Sequence, residues 1–144
     1  MKTTEELTAL FRQRGLRVTP QRQAIFGLLH GDASHPTVEA LYERAAAAMP
    51  TISLKTVYQT VHDLEALGEL RVLDLGTGSV RVDPNVDAEH HHVVCTNCGR
   101  VRDVPLTFDG VRLPARLRRD FTVDAVEVIF RGRCTDCSQH SQGS

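Results

Sequence analysis

Four cysteines stand in two pairs, Cys95-Thr-Asn-Cys98 and Cys134-Thr-Asp-Cys137. Each pair places two thiols on one tight turn, and four thiolates at about 2.3 Å from one ion complete the closed tetrahedral shell of structural zinc. The stretch from Cys98 to Cys134 is longer than in a simple zinc ribbon, so it must hold a fold of its own between the two pairs. A redox dithiol is the competing reading. Such motifs usually sit at a helix N-terminus, whereas Cys95 follows a strand-like run and Cys98 precedes Gly99. No basic start followed by an apolar middle precedes the first helix, so export and a disulfide framework are not expected, and the chain reads as cytoplasmic.

A second set of donors mixes nitrogen and oxygen. His90, His91 and His92 are consecutive at the start of a strand, which directs His90 and His92 to one face and His91 to the other. Asp103 lies five residues beyond Cys98, on a strand that can return beside His92. Upstream, His35 precedes the third helix and Asp83 ends a strand before Pro84. Three imidazoles and two carboxylates suit Fe(II), Mn(II), Zn(II) or Co(II) better than a thiolate-selected metal. Plainer readings stand beside this one: an exposed histidine run, a turn at Asp83-Pro84, a loop end at His35-Pro36. His30 reads as a helix-end residue, His62 as surface or DNA-facing, and His140 as part of the tail.

These donors need elements to position them. Leu7, Leu10 and Phe11 recur at helical spacing behind a Thr3/Glu6 capping box, predicting a helix over about 4–14 that Gly15 stops. Thr19-Pro20 opens a second helix ending near Gly31, Thr37 caps a third closed by Pro50, and Ser53 caps a fourth that exits at Gly68. From Leu70 the period changes to two, and Gly76-Thr-Gly78-Ser79 connects two short strands. Helices followed by a two-stranded wing form the winged-helix arrangement, whose last helix before the wing enters a DNA major groove.

The proline-containing stretch 84–89 predicts a hinge. Beyond it come strands at His92–Cys95 and Val101–Val104, a helix around 110–120 and a strand through Val126, Val128 and Phe130. The expected organisation is a DNA-binding domain over 1–83, the hinge, a small α/β metal-binding domain over 90–137, and a disordered tail over 138–144. The fold class is therefore α+β, a winged helix-turn-helix domain followed by a small α/β domain with a four-cysteine zinc site.

The ordered set Arg17-Val-Thr-Pro-Gln-Arg22, His35-Pro-Thr, Thr56-Val-Tyr58, His90-His-His92, Cys95-x-x-Cys98-Gly99 and Cys134-x-x-Cys137 resembles the ferric uptake regulator family of bacterial metal-dependent repressors, from about Leu7 to Cys137. The resemblance implies a homodimer on palindromic A·T-rich double-stranded DNA. It also implies a structural zinc on Cys95, Cys98, Cys134 and Cys137, and a regulatory Fe(II) or Mn(II) on His35, Asp83, His90, His92 and Asp103. Asp103 carries more: peroxide-sensing members resemble this chain in having aspartate there, where iron-uptake members usually have glutamate. In that branch Fe(II) and hydrogen peroxide lead to oxidation of ligand histidines, which here would be His35 and His90. Iron-uptake members often carry a histidine eight residues before the third cysteine, where this chain has Val126.

On the fourth helix Lys55, Gln59 and His62 lie opposite the apolar stripe, with Thr56 and Tyr58 at its flanks. Lys55 and Thr56 would meet phosphates, Gln59 could pair with adenine, and Tyr58 could touch a thymine methyl or be partly buried against the helices. By resemblance, Arg17 reaches a minor groove.

Composition is consistent with such a protein. The 144 residues carry a net charge of −1 with 41% hydrophobic residues, while residues 1–30 hold Lys2, Arg12, Arg14, Arg17 and Arg22 against Glu5 and Glu6, a local +3. No apolar run approaches the roughly 20 residues of a membrane span. An enzyme built on the His/Asp set would need an open metal position and a general base nearby, and no further Glu or Lys constellation suggests one. A metal store without DNA affinity would not need the wing.

Overall fold

The computed structural model describes residues 1–140. The chain divides into two compact units, Met1–Asp87 and a second from Ala88 onward.

The first unit holds α1 (Thr4–Gln13), α2 (Pro20–Leu29), α3 (Val38–Ala48), α4 (Leu54–Ala66), β1 (Arg71–Leu73) and β2 (Arg81–Asp83). Each helix starts where a hydroxyl can accept an orphan backbone N–H: Thr3, Thr19, Thr37 and Ser53 are the N-caps, and Thr3 and Glu6 close a reciprocal capping box. At the exit of α4, Gly68 takes φ +74°, which lets its N–H reach the Glu65 carbonyl and the Glu69 N–H reach Leu64. This tight exit turns the chain into the wing.

The apolar stripes of all four helices meet in one core. Leu7, Phe11, Ile25, Phe26, Leu41 and Leu64 are fully buried there, and Leu70 and Val82 join it from the wing end. Phe11 and Phe26 meet edge-on at 4.8 Å between centroids. β1 and β2 pair antiparallel with Val72 opposite Val82, and the Val82 N–H also bonds the Pro36 carbonyl at 2.8 Å. The wing strands are shorter than the alternation from Leu70 suggested, because 74–80 forms the connection rather than ladder.

In the second unit β3 (His91–Cys95), β4 (Val101–Val104) and β5 (Ile129–Gly132) form a sheet of order β4-β3-β5, antiparallel on one side of β3 and parallel on the other, followed by α5 (Thr135–His140). Three expectations need correction. Residues 110–120 form turns closed by Leu117 and Arg118 on the Pro114 carbonyl and by Asp120 and Phe121 on the Leu117 carbonyl, not a helix. Nearly every side chain there is exposed and Arg116, Arg118 and Arg119 crowd the segment, so no buried face supports a helix this short. The last strand begins at Ile129, three residues beyond Val126, because the Val128 N–H is taken by the His91 ring. Ser138, Gln139 and His140, assigned to the tail, continue α5, and 141–144 lie outside the described residues.

Candidate metal centres and nucleic-acid face

The sulfurs of Cys95, Cys98, Cys134 and Cys137 all lie within 4.8 Å of one another. Cys98 Sγ and Cys134 Sγ are 3.8 Å apart, which is the edge, about 3.8 Å, of a tetrahedron with zinc–sulfur bonds of about 2.3 Å. No disulfide joins the four. β3 delivers Cys95, the turn into β4 delivers Cys98, and the β5–α5 junction delivers the second pair, so parallel pairing of β3 with β5 brings the two knuckles together. The Cys95 thiol is pulled down to about 5 by the backbone N–H groups of Cys98 and Cys134, which donate to its sulfur at 3.5 and 3.3 Å. At Cys137 a hydrogen bond from the Asn97 side chain lowers the pKa, but Cys134, Cys98 and Cys95 outweigh it and push the thiol up to about 11. Four thiols this close cannot all ionise without a cation between them. Distances, donor set and charge fit structural zinc.

Nitrogen and oxygen donors gather in each unit. In the first, His35 Nε2 and Asp83 Oδ1 are 3.7 Å apart and both side chains are buried. In the second, His90 Nε2 and His92 Nε2 each lie 3.5 Å from Asp103 Oδ1, and the two rings meet edge-on at 4.8 Å. The strand register sets this arrangement, because His92 stands directly opposite Asp103. Two donors about 2.1 Å from a common ion in tetrahedral array are about 3.4 Å apart, so both groups have spacings near those of metal ligands.

Backbone details that no sequence motif announced fix the imidazoles. His35 Nδ1 donates to the Ala33 carbonyl at 3.0 Å and His90 Nδ1 donates to the Ala88 carbonyl at 2.9 Å, each two residues back. A carbonyl only accepts, so Nδ1 carries the proton in both rings and Nε2 is left as the basic nitrogen facing the carboxylate. His35 also sits at φ +50°, the one non-glycine residue with positive φ among the described residues, and that conformation costs about 1–3 kcal/mol. His91 faces the other side, accepting the Val128 N–H at 3.1 Å and packing against Phe108 at 5.0 Å.

Along α4, Lys55, Tyr58, Gln59 and His62 are exposed and Thr56 is half-buried. Tyr58 is 45% exposed and reaches across to α3. Its hydroxyl donates to Glu39 at 2.5 Å, and that bond holds the Glu39 carboxyl below its usual range and raises the Tyr58 phenol. Arg17 is exposed on the loop between α1 and α2, where its carbonyl accepts from Arg22. His30 caps α2, and its ring donates to the Lys2 carbonyl at 3.2 Å.

Residues 13–128 match the sequence pattern of the Ferric uptake regulator family. The chain belongs to that family. Among relatives of this ferric uptake regulator chain, the peroxide-responsive repressor PerR of Staphylococcus epidermidis is 34% identical over 136 residues, covering 94% of this chain and 90% of that one. The Campylobacter jejuni peroxide stress regulator is similar in structure, with a TM-score of 0.62 and 26% identity over 95% of this chain and all of that one. The Helicobacter pylori ferric uptake regulator shares the fold, with a TM-score of 0.72 at 18% identity over 96% of this chain and 97% of that one. Among the described residues, no helix of this family member is long and apolar enough to cross a membrane.

Proposed function

We propose that this chain is a cytoplasmic, metal-dependent transcriptional repressor that binds palindromic A·T-rich operators as a homodimer and senses hydrogen peroxide. The observation that carries the reading is Asp103, an aspartate paired in register with His92 inside a chain 34% identical to a peroxide-responsive repressor. His35 and Asp83 from the first unit and His90, His92 and Asp103 from the second hold one Fe(II) or Mn(II), and Cys95, Cys98, Cys134 and Cys137 hold zinc. Support comes from the donor spacings within each unit and from the two carbonyl-locked rings.

A switch needs a ligand that binds two arrangements unequally. One ion held by side chains from both units fixes their relative orientation, and a dimer so fixed sets its two α4 helices for successive groove faces. Fe(II), held by these residues, would supply the reduction of hydrogen peroxide in which one oxygen enters a ligand imidazole, oxidised by two electrons, and the other leaves as water. His35 and His90 keep their basic Nε2 directed at the site because Ala33 and Ala88 hold Nδ1–H, so each is a ligand whose oxidation weakens coordination and releases the operator. Lys55, Thr56, Tyr58 and Gln59 face the major groove, with Arg17 in the flanking minor groove. Exposed Val111, Phe121, Val123 and Val126 of the second unit supply apolar surface for the homodimer. The protein is not an enzyme: its chemistry modifies itself once.

The test is anaerobic loading with Fe(II), a peroxide pulse and peptide mass spectrometry, with Mn(II) loading as control. One added oxygen on His35 or His90 with iron alone, together with loss of operator binding, is expected. Reversible iron-dependent operator binding without oxygen gain would overturn peroxide sensing and leave an iron-responsive repressor.

A further inference from the structure

Gln59 is exposed on α4, and its Nε2 donates to Oδ1 of Asp63 one turn further on, at 3.0 Å. A Gln–Asp pair at this spacing usually only supports its helix. Here the acceptor is clamped. Asp63 Oδ2 lies 2.9 Å from Arg22 Nη2 with both side chains 13% exposed, and Arg22 is itself held by Nη1 on the Arg17 carbonyl at 3.2 Å and by the Phe11 ring 5.6 Å beneath its guanidinium. A carboxylate ion accepts hydrogen bonds and cannot donate them, so the Gln59 carboxamide must turn its nitrogen towards Asp63 and carry its oxygen outward.

We propose that Asp63 is a positioning residue that fixes the polarity of Gln59, so that Gln59 meets a base edge with its carboxamide oxygen and selects a base bearing an exocyclic amine. The inference rests on the DNA-binding reading of α4 above and adds which bases that helix accepts. In the major groove adenine N6 and cytosine N4 donate, whereas guanine and thymine present O6 and O4, which only accept. Adenine ranks first, because its N7 can take the second amide hydrogen of Gln59; cytosine offers the amine alone. Against thymine or guanine the carboxamide oxygen faces another oxygen, and inverting the amide to avoid that aims the same oxygen at Asp63. The arm that carries Arg17 and the helix that carries Gln59 thus share one ion pair.

The test uses the full Mn(II)-loaded chain. A preferred site is selected from a random duplex pool, and every single-base variant of one half-site is then competed against it. One position should favour adenine over thymine or guanine by about tenfold or more. Asp63→Asn should move the preference at that position from adenine towards thymine or guanine and leave the profile elsewhere unchanged, because Arg22 only donates, which keeps the asparagine oxygen on the guanidinium and turns its nitrogen towards Gln59. A merely structural role for Asp63 would weaken all positions together. Gln59→Glu, at an exposed site, decides the matter even if Asp63→Asn fails to fold. An acceptor-only side chain keeps the preference for an amine under the proposal and loses it if Gln59 reads through its nitrogen. An unchanged profile in Asp63→Asn, or a lost preference in Gln59→Glu, overturns the positioning role while the DNA-binding reading stands. A wild-type chain that selects no sequence overturns both.

Discussion

In the first unit Leu7, Phe11, Ile25, Phe26, Leu29, Leu41 and Leu64 are fully buried in one cluster, whereas the buried apolar residues of the second are Val94, Cys95 and Val101 among the described residues. The second unit also leaves Phe121, Val111 and Phe130 exposed. Apolar burial contributes about 25 cal/mol per Å², so the first unit can fold on its own core and the second cannot. Four converging thiols and an apolar surface are what the second unit has in place of a core. A sensor gains from this division: the half that reads DNA keeps its shape while the half that binds metal responds to it.

Breaking the zinc cluster should have the largest effect. Cys98→Ser, or chelation, removes a contribution on the order of 10 kcal/mol to folding. Hydrogen exchange should then show β3, β4 and β5 amides losing protection while α1–α4 keep theirs; equal loss in both units would end the comparison. The converse is Phe26→Ala, expected to cost the first unit about 3–5 kcal/mol in urea unfolding while the zinc content of the protein stays at wild-type level.

His35→Asn sharpens the contrast between stability and response. Asparagine tolerates positive φ, so the backbone keeps its shape and loss of the buried ring should cost only about 1–2 kcal/mol in urea unfolding, yet Mn(II)-dependent operator affinity should fall at least about tenfold in a mobility-shift titration. Wild-type affinity would remove His35 from the regulatory set. The smallest effect is expected from Thr3→Ala, which opens the capping box of α1 and should lower first-unit stability by about 1 kcal/mol in thermal unfolding.

Local signals made the first unit legible. Thr3, Thr19, Thr37 and Ser53 are strong start signals whose caps depend on neighbours within three residues, and the stripes of α1 and α4 follow directly from helical period. The two cysteine pairs and the alternation at His90–His92 were readable for the same reason. Less could be read where distant partners decide. Whether 110–120 becomes a helix depends on a surface to lie against, and β5 starts at Ile129 because His91 captures Val128. Neither the left-handed backbone of His35 nor the carbonyl locks from Ala33 and Ala88 has a residue-type signature. The Arg22–Asp63–Gln59 chain escapes sequence reading as well, since Arg22 and Asp63 are 41 positions apart and meet only when α2 packs against α4.

Parallel pairing of β3 with β5 has a consequence for how the molecule comes into being on the ribosome. Everything the first unit needs has been translated by Asp87, but the β3–β5 pairing and the thiols of Cys95 and Cys98 must wait for Ile129–Gly132, Cys134 and Cys137 before either can close. During that interval the nascent chain carries a finished reader and a pair of reactive sulfurs, so metal supply governs the last step of its biogenesis and not the first.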